Sequence, residues 1–162
     1  MKPGYIYLQP YITKKYMKKA EQQKILHKGS NDKDNAFITL LYPQNGIKFT
    51  TSKTRNSNDF INHLNSIKRY VLKRSIRRFI LVIDNASFHV SKKTKQFIEK
   101  QSEDWLTVLF LPTHAPFLNL VETKVNRNLK KDVCANYNYE TEDNLLCNVR
   151  RYLRCFCSWP KI

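Results

Sequence analysis

The apolar residues of this chain fall into short runs that predict five β-strands. Aliphatic and aromatic runs predict strands at 5–8, 36–42, 79–83 and 106–111, and Asn45-Gly46 predicts a hairpin to a partner strand at 47–51. The run at 79–83 has no polar position, which is typical of a strand buried on both faces. The polar, lysine-rich stretch at 13–34 predicts a loop.

Apolar residues recur at helical spacing in four further segments. The first two predicted helices cover about 58–72, with Ser57 as N-cap, and about 92–101, with Ser91 as N-cap. A third follows Pro116, and a fourth begins near Thr141, with acidic residues where the helix dipole favours them. The expected apolar faces consist of Phe60, Leu64, Ile67 and Val71; Phe97 and Ile98; Leu118, Val121, Val125 and Leu129; and Leu145, Val149, Tyr152, Leu153 and Phe156.

The order of these elements predicts an α/β fold. An antiparallel hairpin followed by alternating strands and helices gives a mixed five-stranded sheet with helices on both faces. The ribonuclease-H-like fold has this layout. Because no repeat or low-complexity linker divides the chain, residues 1–162 are expected to form one domain.

The charge balance predicts a polyanionic partner. The net charge is +16, from 29 Lys and Arg against 13 Asp and Glu, which favours DNA or RNA. The alternative is an AT-rich coding bias, which enriches Lys and Asn without selecting for a ligand. No apolar run approaches the roughly 20 residues of a membrane helix, and no apolar segment follows the N-terminal charge as in a signal peptide. We therefore expect no membrane partner and a cytoplasmic location.

The four cysteines are not spaced for a typical zinc site, because they form no Cys-x-x-Cys pair. Free, buried thiols in a reducing compartment are the expected state, and a zinc site is the less favoured alternative. These residues are Cys134, Cys147, Cys155 and Cys157.

Two segments each place a lone carboxylate just beyond a predicted strand. Asp84 follows the strand at 79–83, and Glu122 lies in the first turns of the helix after the strand at 106–111. Carboxylates that converge at one sheet edge are suited to hold divalent metal for phosphodiester chemistry. Each also has a simpler structural interpretation, because Asp-Asn pairs commonly begin turns and a first-turn glutamate satisfies the helix dipole.

Two motifs surround these carboxylates. The first is I-D-N-A-x-x-H at 83–89, and the second is L-P-x-x-x-P-x-L-N-x-x-E at 111–122. Together they resemble the DDE transposases of mariner-like bacterial insertion sequences. The segment Ile6–Pro10 resembles the first strand of that family, so the resemblance covers nearly the whole chain. Leu120 departs from the family, which usually has proline at this position.

The resemblance implies metal-dependent DNA cleavage and strand transfer. In this family three carboxylates bind two Mg²⁺ or Mn²⁺ ions, one activating water or a 3′-hydroxyl and the other stabilising the leaving oxygen. Asp84 and Glu122 would be catalytic metal ligands, and Asn85, His89 and Asn119 would support them or contact DNA.

The resemblance also implies the partners. DNA would be bound as transposon ends and as target, and a homodimer or a full-length transposase would be the protein partner. The third helix carries a basic stripe, which we expect to bind DNA. It consists of Lys124, Arg127 and Lys131.

The first catalytic aspartate of the family has no counterpart in this sequence. Its position corresponds to Lys2 or Pro3, and no acidic residue precedes Glu21. Asp32 and Asp34 are expected in the polar loop, too far along the chain to replace it. We therefore expect an N-terminally truncated catalytic domain that binds metal weakly and cleaves DNA poorly or not at all.

Three functions stay open at this point. The first is a transposase catalytic-domain fragment with an incomplete site. The second is a non-catalytic module that binds DNA or interacts with a full-length transposase, for example as its inhibitor. The third is a stand-alone nuclease that recruits another acid, such as Glu21 or Asp132.

Overall fold

The computed structural model describes residues 5–8, 34–42, 46–113, 115–135, 139 and 141–156. Its strands are β1 (Tyr5–Leu8), β2 (Asp34–Leu41), β3 (Gly46–Ser52), β4 (Phe79–Ile83) and β5 (Leu106–Phe110). Its helices are α1 (Ser57–Lys73), α2 (Lys92–Ser102), α3 (Arg127–Leu129) and α4 (Glu142–Cys155). A 3-10 turn (Pro116–Leu118) precedes α3, and π-helical segments (Val121–Asn126 and Lys130–Cys134) flank it. We call residues 121–134 the Glu122 helix.

The described strands form two sheets instead of the predicted single mixed sheet. β1, β2 and β3 make an antiparallel sheet with β2 in the centre, and β4 pairs with β5 in parallel. The predicted hairpin is confirmed, because Leu41 of β2 lies opposite Gly46 of β3. Within the described residues, no ladder joins β1 to β4, so a single five-stranded sheet is not formed.

Side chains of β2 alternate between two hydrophobic cores. Phe37 enters the core formed with α1, β4 and β5, whereas Ala36 and Ile38 enter the core formed with the Glu122 helix and α4. Burial on both faces explains why β2 has an almost continuous apolar sequence. Helices therefore lie on both faces of the sheet, as the sequence predicts, and the Glu122 helix lies opposite α1.

The helix starts follow from side-chain caps. Ser91 caps α2 as predicted, and Thr141, near which the sequence predicts the start of the last helix, caps α4; their side chains accept the Thr94 and Asn144 amides. The cap of α1 is Asn56 and not the predicted Ser57, because the Asn56 side chain accepts the Asp59 amide at 3.0 Å. The Ser57 hydroxyl instead shares a 2.7 Å hydrogen bond with the Ser91 hydroxyl, which joins the starts of α1 and α2.

The prediction that β4 is buried on both faces is wrong. Leu81 and Ile83 are buried in the α1 core, but Ile80 and Val82 are 62% and 52% exposed. An apolar run identifies a strand, but it does not reveal whether another element covers each face. Leu109 of the neighbouring β5 is 52% exposed as well, so the apolar surface continues onto that strand.

The third predicted helix forms, but most of it is π-helical. The Arg127 amide bonds to the Glu122 carbonyl, five residues back, and the wider turn changes which residues face inward. Asn126 and Cys134 are therefore buried beside Val125, Leu129 and Val133. Leu118, which the helical spacing assigned to the apolar face, is 47% exposed.

Several smaller predictions also change. Of the cysteines, only Cys134 is buried among those described, and burial raises the pKa of its thiol to about 11. Cys147 and Cys155 are exposed and form no disulfide among the described residues. Asp34 begins β2 and does not lie in the predicted loop. Lys2, Pro3, the stretch at 9–33 and Cys157 lie outside the described residues. No helix in the described ranges is long and apolar enough to cross a membrane.

A buried histidine joins α1 to the antiparallel sheet. His63 lies 2.8 Å (Nε2) from the Thr39 hydroxyl of β2 and 3.0 Å (Nδ1) from the Thr50 hydroxyl of β3. Burial lowers the pKa of His63 to about 3, and the charges of Lys48 and His89 act in the same direction. The ring is therefore neutral, with one nitrogen donating and the other accepting.

We predict that His63 makes the fold sensitive to acid. Its folded-state pKa lies below its unfolded value, so its contribution is fully present above about pH 6.5 and is lost as pH falls towards 3. Between pH 7.5 and 5 the loss should be about 2 kcal/mol. Urea unfolding of the wild type and of His63→Gln measures it. The expected result is a shallower pH dependence in His63→Gln, and identical pH dependences would contradict the prediction.

Candidate metal and nucleic-acid site

Asp84 occupies the first position after β4, where the chain leaves the parallel sheet. Its side chain is 17% exposed, so it lies at the surface of the α1 core without being sealed inside it. The carboxylate oxygen Oδ1 accepts the Ala86 amide at 3.2 Å. The turn predicted from the Asp-Asn pair is therefore present, and it fixes the direction of the carboxylate.

His89, which is buried, hydrogen-bonds to the same carboxylate oxygen. Its Nδ1 lies 3.0 Å from Asp84 Oδ1 and 3.1 Å from the Asp84 carbonyl oxygen. Both neighbours are acceptors, so Nδ1 carries the proton and donates it. The ring is 2% exposed and packs between Phe60 and Phe88, with centroid separations of 4.2 and 4.3 Å. His89 is thus a positioning residue for Asp84.

Asn85 joins the ends of the two parallel strands. Its side-chain amide donates to the Leu111 carbonyl at 2.8 Å. The Leu111 amide in turn donates to the Ile83 carbonyl at 2.7 Å, which extends the β4–β5 ladder by one residue. The first residues of the two sequence motifs, Ile83 and Leu111, are therefore joined by a backbone hydrogen bond.

Asn119 starts the Glu122 helix. Its side-chain oxygen accepts the Val121 amide at 3.1 Å, and its carbonyl accepts the Thr123 amide at 3.2 Å. Asparagine is well suited to this position, because its side chain satisfies an amide that has no partner within the helix. Asn119 thus has a structural role at the turn that leads to Glu122.

Glu122 lies in the first π-helical segment and is half-buried. Burial raises the pKa of its carboxyl group, and the negative charge of Asp84 acts in the same direction. A hydrogen bond from Asn126 and the charge of Lys130 oppose that rise. Asp84 therefore lies close enough to Glu122 for its negative charge to affect the Glu122 carboxyl group.

Sequence reasoning missed Asn126 as a member of this site. It is 2% exposed and hydrogen-bonds to the Glu122 carboxyl group. The available signal was its position four residues after Glu122, a spacing that brings side chains together on a helix. A buried amide beside a carboxylate orients it, as His89 orients Asp84.

A third carboxylate does not join the pair within the described ranges. No group of three or more His, Cys, Asp or Glu residues there is arranged to hold a metal ion. Asp132 instead faces α4, where its Oδ2 lies 3.3 Å from the Tyr152 hydroxyl. Glu21 and Asp32 lie outside the described residues.

The predicted basic stripe lies on the solvent-facing side of the Glu122 helix. Lys124, Arg127 and Lys131 are all exposed, and they follow Glu122 by two, five and nine residues.

Comparison with known protein families agrees with this geometry. The model of the DDE superfamily endonucleases matches residues 6–146, which include both motifs. The chain belongs to the DDE superfamily of endonucleases. No curated protein matches it significantly.

Solved transposase structures share the fold of this DDE-family chain. The Mos1 transposase paired-end complex with left transposon end has a TM-score of 0.68 and 16% identity, covering 94% of this chain and 47% of the Mos1 chain. The Mos1 strand transfer complex has a TM-score of 0.67 and 16% identity, covering 97% and 45%. The chain thus spans about half the length of these proteins.

The catalytic domain of Mos1 mariner transposase is similar as well, with a TM-score of 0.62 and 16% identity over 80% of this chain and 65% of that one. At this identity the likeness establishes the fold. The chain therefore has the α/β fold of the ribonuclease-H-like mariner catalytic domain, although its described strands form two sheets.

We predict that Asn126→Leu raises the pKa of Glu122 further, because it removes a hydrogen bond that stabilises the carboxylate. Carbon-13 NMR titration of the side-chain carboxyl signal measures the change. Asn128→Leu is the matched control, since Asn128 donates to the Lys124 carbonyl and not to Glu122. An unchanged or lower Glu122 pKa in Asn126→Leu would contradict the assigned bond.

Proposed function

We propose that this chain is the DNA-binding and metal-binding part of a mariner-like transposase catalytic domain, with a site too incomplete for efficient cleavage. The observation that supports the proposal is that Asp84 and Glu122 each hydrogen-bond to a buried side chain, and that the Asp84 charge reaches Glu122, in a member of the DDE endonuclease family. A carboxylate that only begins a turn or a helix does not need a buried side chain to orient it, whereas Asp84 and Glu122 each have one, His89 and Asn126.

The donor set suits a divalent cation such as Mg²⁺ or Mn²⁺. Asp84 Oδ1 is engaged by His89 and Ala86, which leaves Oδ2 to face a cation, and Glu122 would supply the second carboxylate. Mg²⁺ commonly binds one or two carboxylates and keeps several waters, so two acids are enough for weak binding. When bound, the metal would activate a nucleophile and stabilise the leaving oxygen.

The same donor set does not suit the two-ion centre expected of the family. The described residues include no third carboxylate that joins Asp84 and Glu122 in a metal-binding group. We therefore propose weak metal binding and little or no cleavage. The stand-alone nuclease receives no support from Asp132, which is engaged with Tyr152.

A nicking assay tests this part of the proposal. We predict that wild-type protein with Mn²⁺ nicks supercoiled DNA no faster than Asp84→Asn or Glu122→Gln, because all three lack a complete set of ligands. Efficient nicking by the wild type that disappears in Asp84→Asn would contradict the proposed inactivity.

DNA binding is the second part of the proposal. The net charge of +16 and the exposed basic stripe on the Glu122 helix support it, and the similar Mos1 structures include complexes with transposon ends. We propose transposon ends and target DNA as ligands and a second copy or a full-length transposase as protein partner. Cytoplasmic residence belongs to the same proposal.

We predict that replacing Lys124, Arg127 and Lys131 by Gln weakens duplex binding and flattens its salt dependence. Each lost phosphate contact should change the slope of log K against log salt by about 0.9. Fluorescence anisotropy at several salt concentrations measures both effects. The matched control replaces Lys92, Lys95 and Lys100, which are exposed on α2. Equal effects in the two triple variants would contradict a specific role for the stripe.

A non-catalytic module is the second candidate function. The exposed stripe favours it, because phosphate contacts do not need a complete metal centre. Strong, salt-dependent binding together with absent nicking would identify this function. If the wild-type protein does not bind duplex DNA at low salt, both candidate functions are contradicted.

A further inference from the structure

An exposed apolar projection lies immediately before the Glu122 helix. We call it the Phe117 prong, and it consists of Phe117, Leu118 and Leu120, which are 70%, 47% and 51% exposed. The Leu118 amide bonds to the Ala115 carbonyl at 3.2 Å, so a 3-10 turn holds the prong. Neither the metal ligands nor the basic stripe accounts for three apolar side chains in water at this point.

A short, hydrogen-bonded path joins the prong to Glu122. The 3-10 turn directly precedes the first π-helical segment, and between them Asn119 accepts the Val121 and Thr123 amides. Five residues of largely helical backbone, at 1.5 to 2 Å of rise each, separate Phe117 from Glu122 by roughly 10 Å. That length corresponds to about three base steps of a DNA strand.

The basic residues near the Phe117 prong indicate which kind of partner it binds. A purely apolar protein partner would leave the adjacent Lys124 and Arg127 without counter-charges, whereas nucleic acid offers phosphates to the basic residues and flat apolar faces to Phe117. Aromatic side chains beside a basic track are the usual platform for unpaired bases. Paired bases stay stacked inside a duplex and cannot reach such a platform.

We infer that Phe117, supported by Leu118 and Leu120, stacks against an unpaired base within about three nucleotides of the phosphate nearest the metal that Asp84 and Glu122 would bind. This inference rests on the proposed DNA-binding function and deepens it. The site would prefer a duplex with a single-stranded extension over a blunt duplex. Stacking needs no metal, so the preference should persist in EDTA.

Fluorescence anisotropy in EDTA tests the inference with two DNAs, a blunt duplex and the same duplex with a three-nucleotide 3′ extension. We predict that Phe117→Ala weakens binding of the extended duplex about fivefold or more and leaves the blunt duplex unchanged. Phe117→Trp should keep the preference. Tyr42→Ala is the matched control, because Tyr42 is an 89% exposed aromatic at the end of β2, and it should change neither affinity.

Three outcomes would overturn the inference. They are equal binding of both DNAs by the wild type, equal losses on both DNAs in Phe117→Ala, and a dimer in sedimentation velocity that Phe117→Ala converts to a monomer. Steep salt dependence of blunt-duplex binding tests the proposed function separately. If that binding survives while the extension preference is absent, only the stacking inference fails. Circular dichroism confirms that each variant is folded.

Discussion

The bonds around Leu111 are the constraint on which the site depends. Leu111 donates to the Ile83 carbonyl and accepts from the Asn85 side chain, so the exits of β4 and β5 are fastened to each other. Asp84 lies between the two residues that make these bonds. The chain that leads from Leu111 to Glu122 therefore starts beside Asp84, so parallel pairing places the starts of the two motifs at one edge of the sheet.

Each carboxylate is then held by a buried neighbour. His89 fixes Asp84 from the α1 core, and Asn126 fixes Glu122 where the Glu122 helix packs on the α4 core. Burying polar groups without partners is costly, and the carboxylates accept hydrogen bonds from His89 Nδ1 and from the Asn126 side-chain amide group. The π-helical turn makes this possible, because it brings Asn126 inward while leaving Lys124 and Arg127 in solvent.

Local pattern was sufficient for most of the fold. The ends of β1 and β4, the caps Ser91 and Thr141, and the apolar face of α1 follow from side-chain alternation and capping chemistry, which act over a few residues. The exposure of Ile80 and Val82 could not be predicted, because it depends on whether a distant element covers β4. The four-residue spacing places Asn126 beside Glu122, but it does not reveal that Asn126 is buried, because that depends on the core packed against the helix. The motifs predict Asp84 and Glu122 as site residues, but no sequence pattern reveals which buried side chains orient them.

The account rests on Asp84 and Glu122 forming one site, and paramagnetic NMR with Mn²⁺ tests this most directly. Sub-stoichiometric Mn²⁺ added to nitrogen-15-labelled protein should broaden the amide signals of residues 84–86 and 121–123 together, at the same metal concentration. Asp84→Asn should abolish both effects. Broadening of only one segment, or persistence at residues 121–123 in Asp84→Asn, would show that the two carboxylates do not share a metal and would contradict the account.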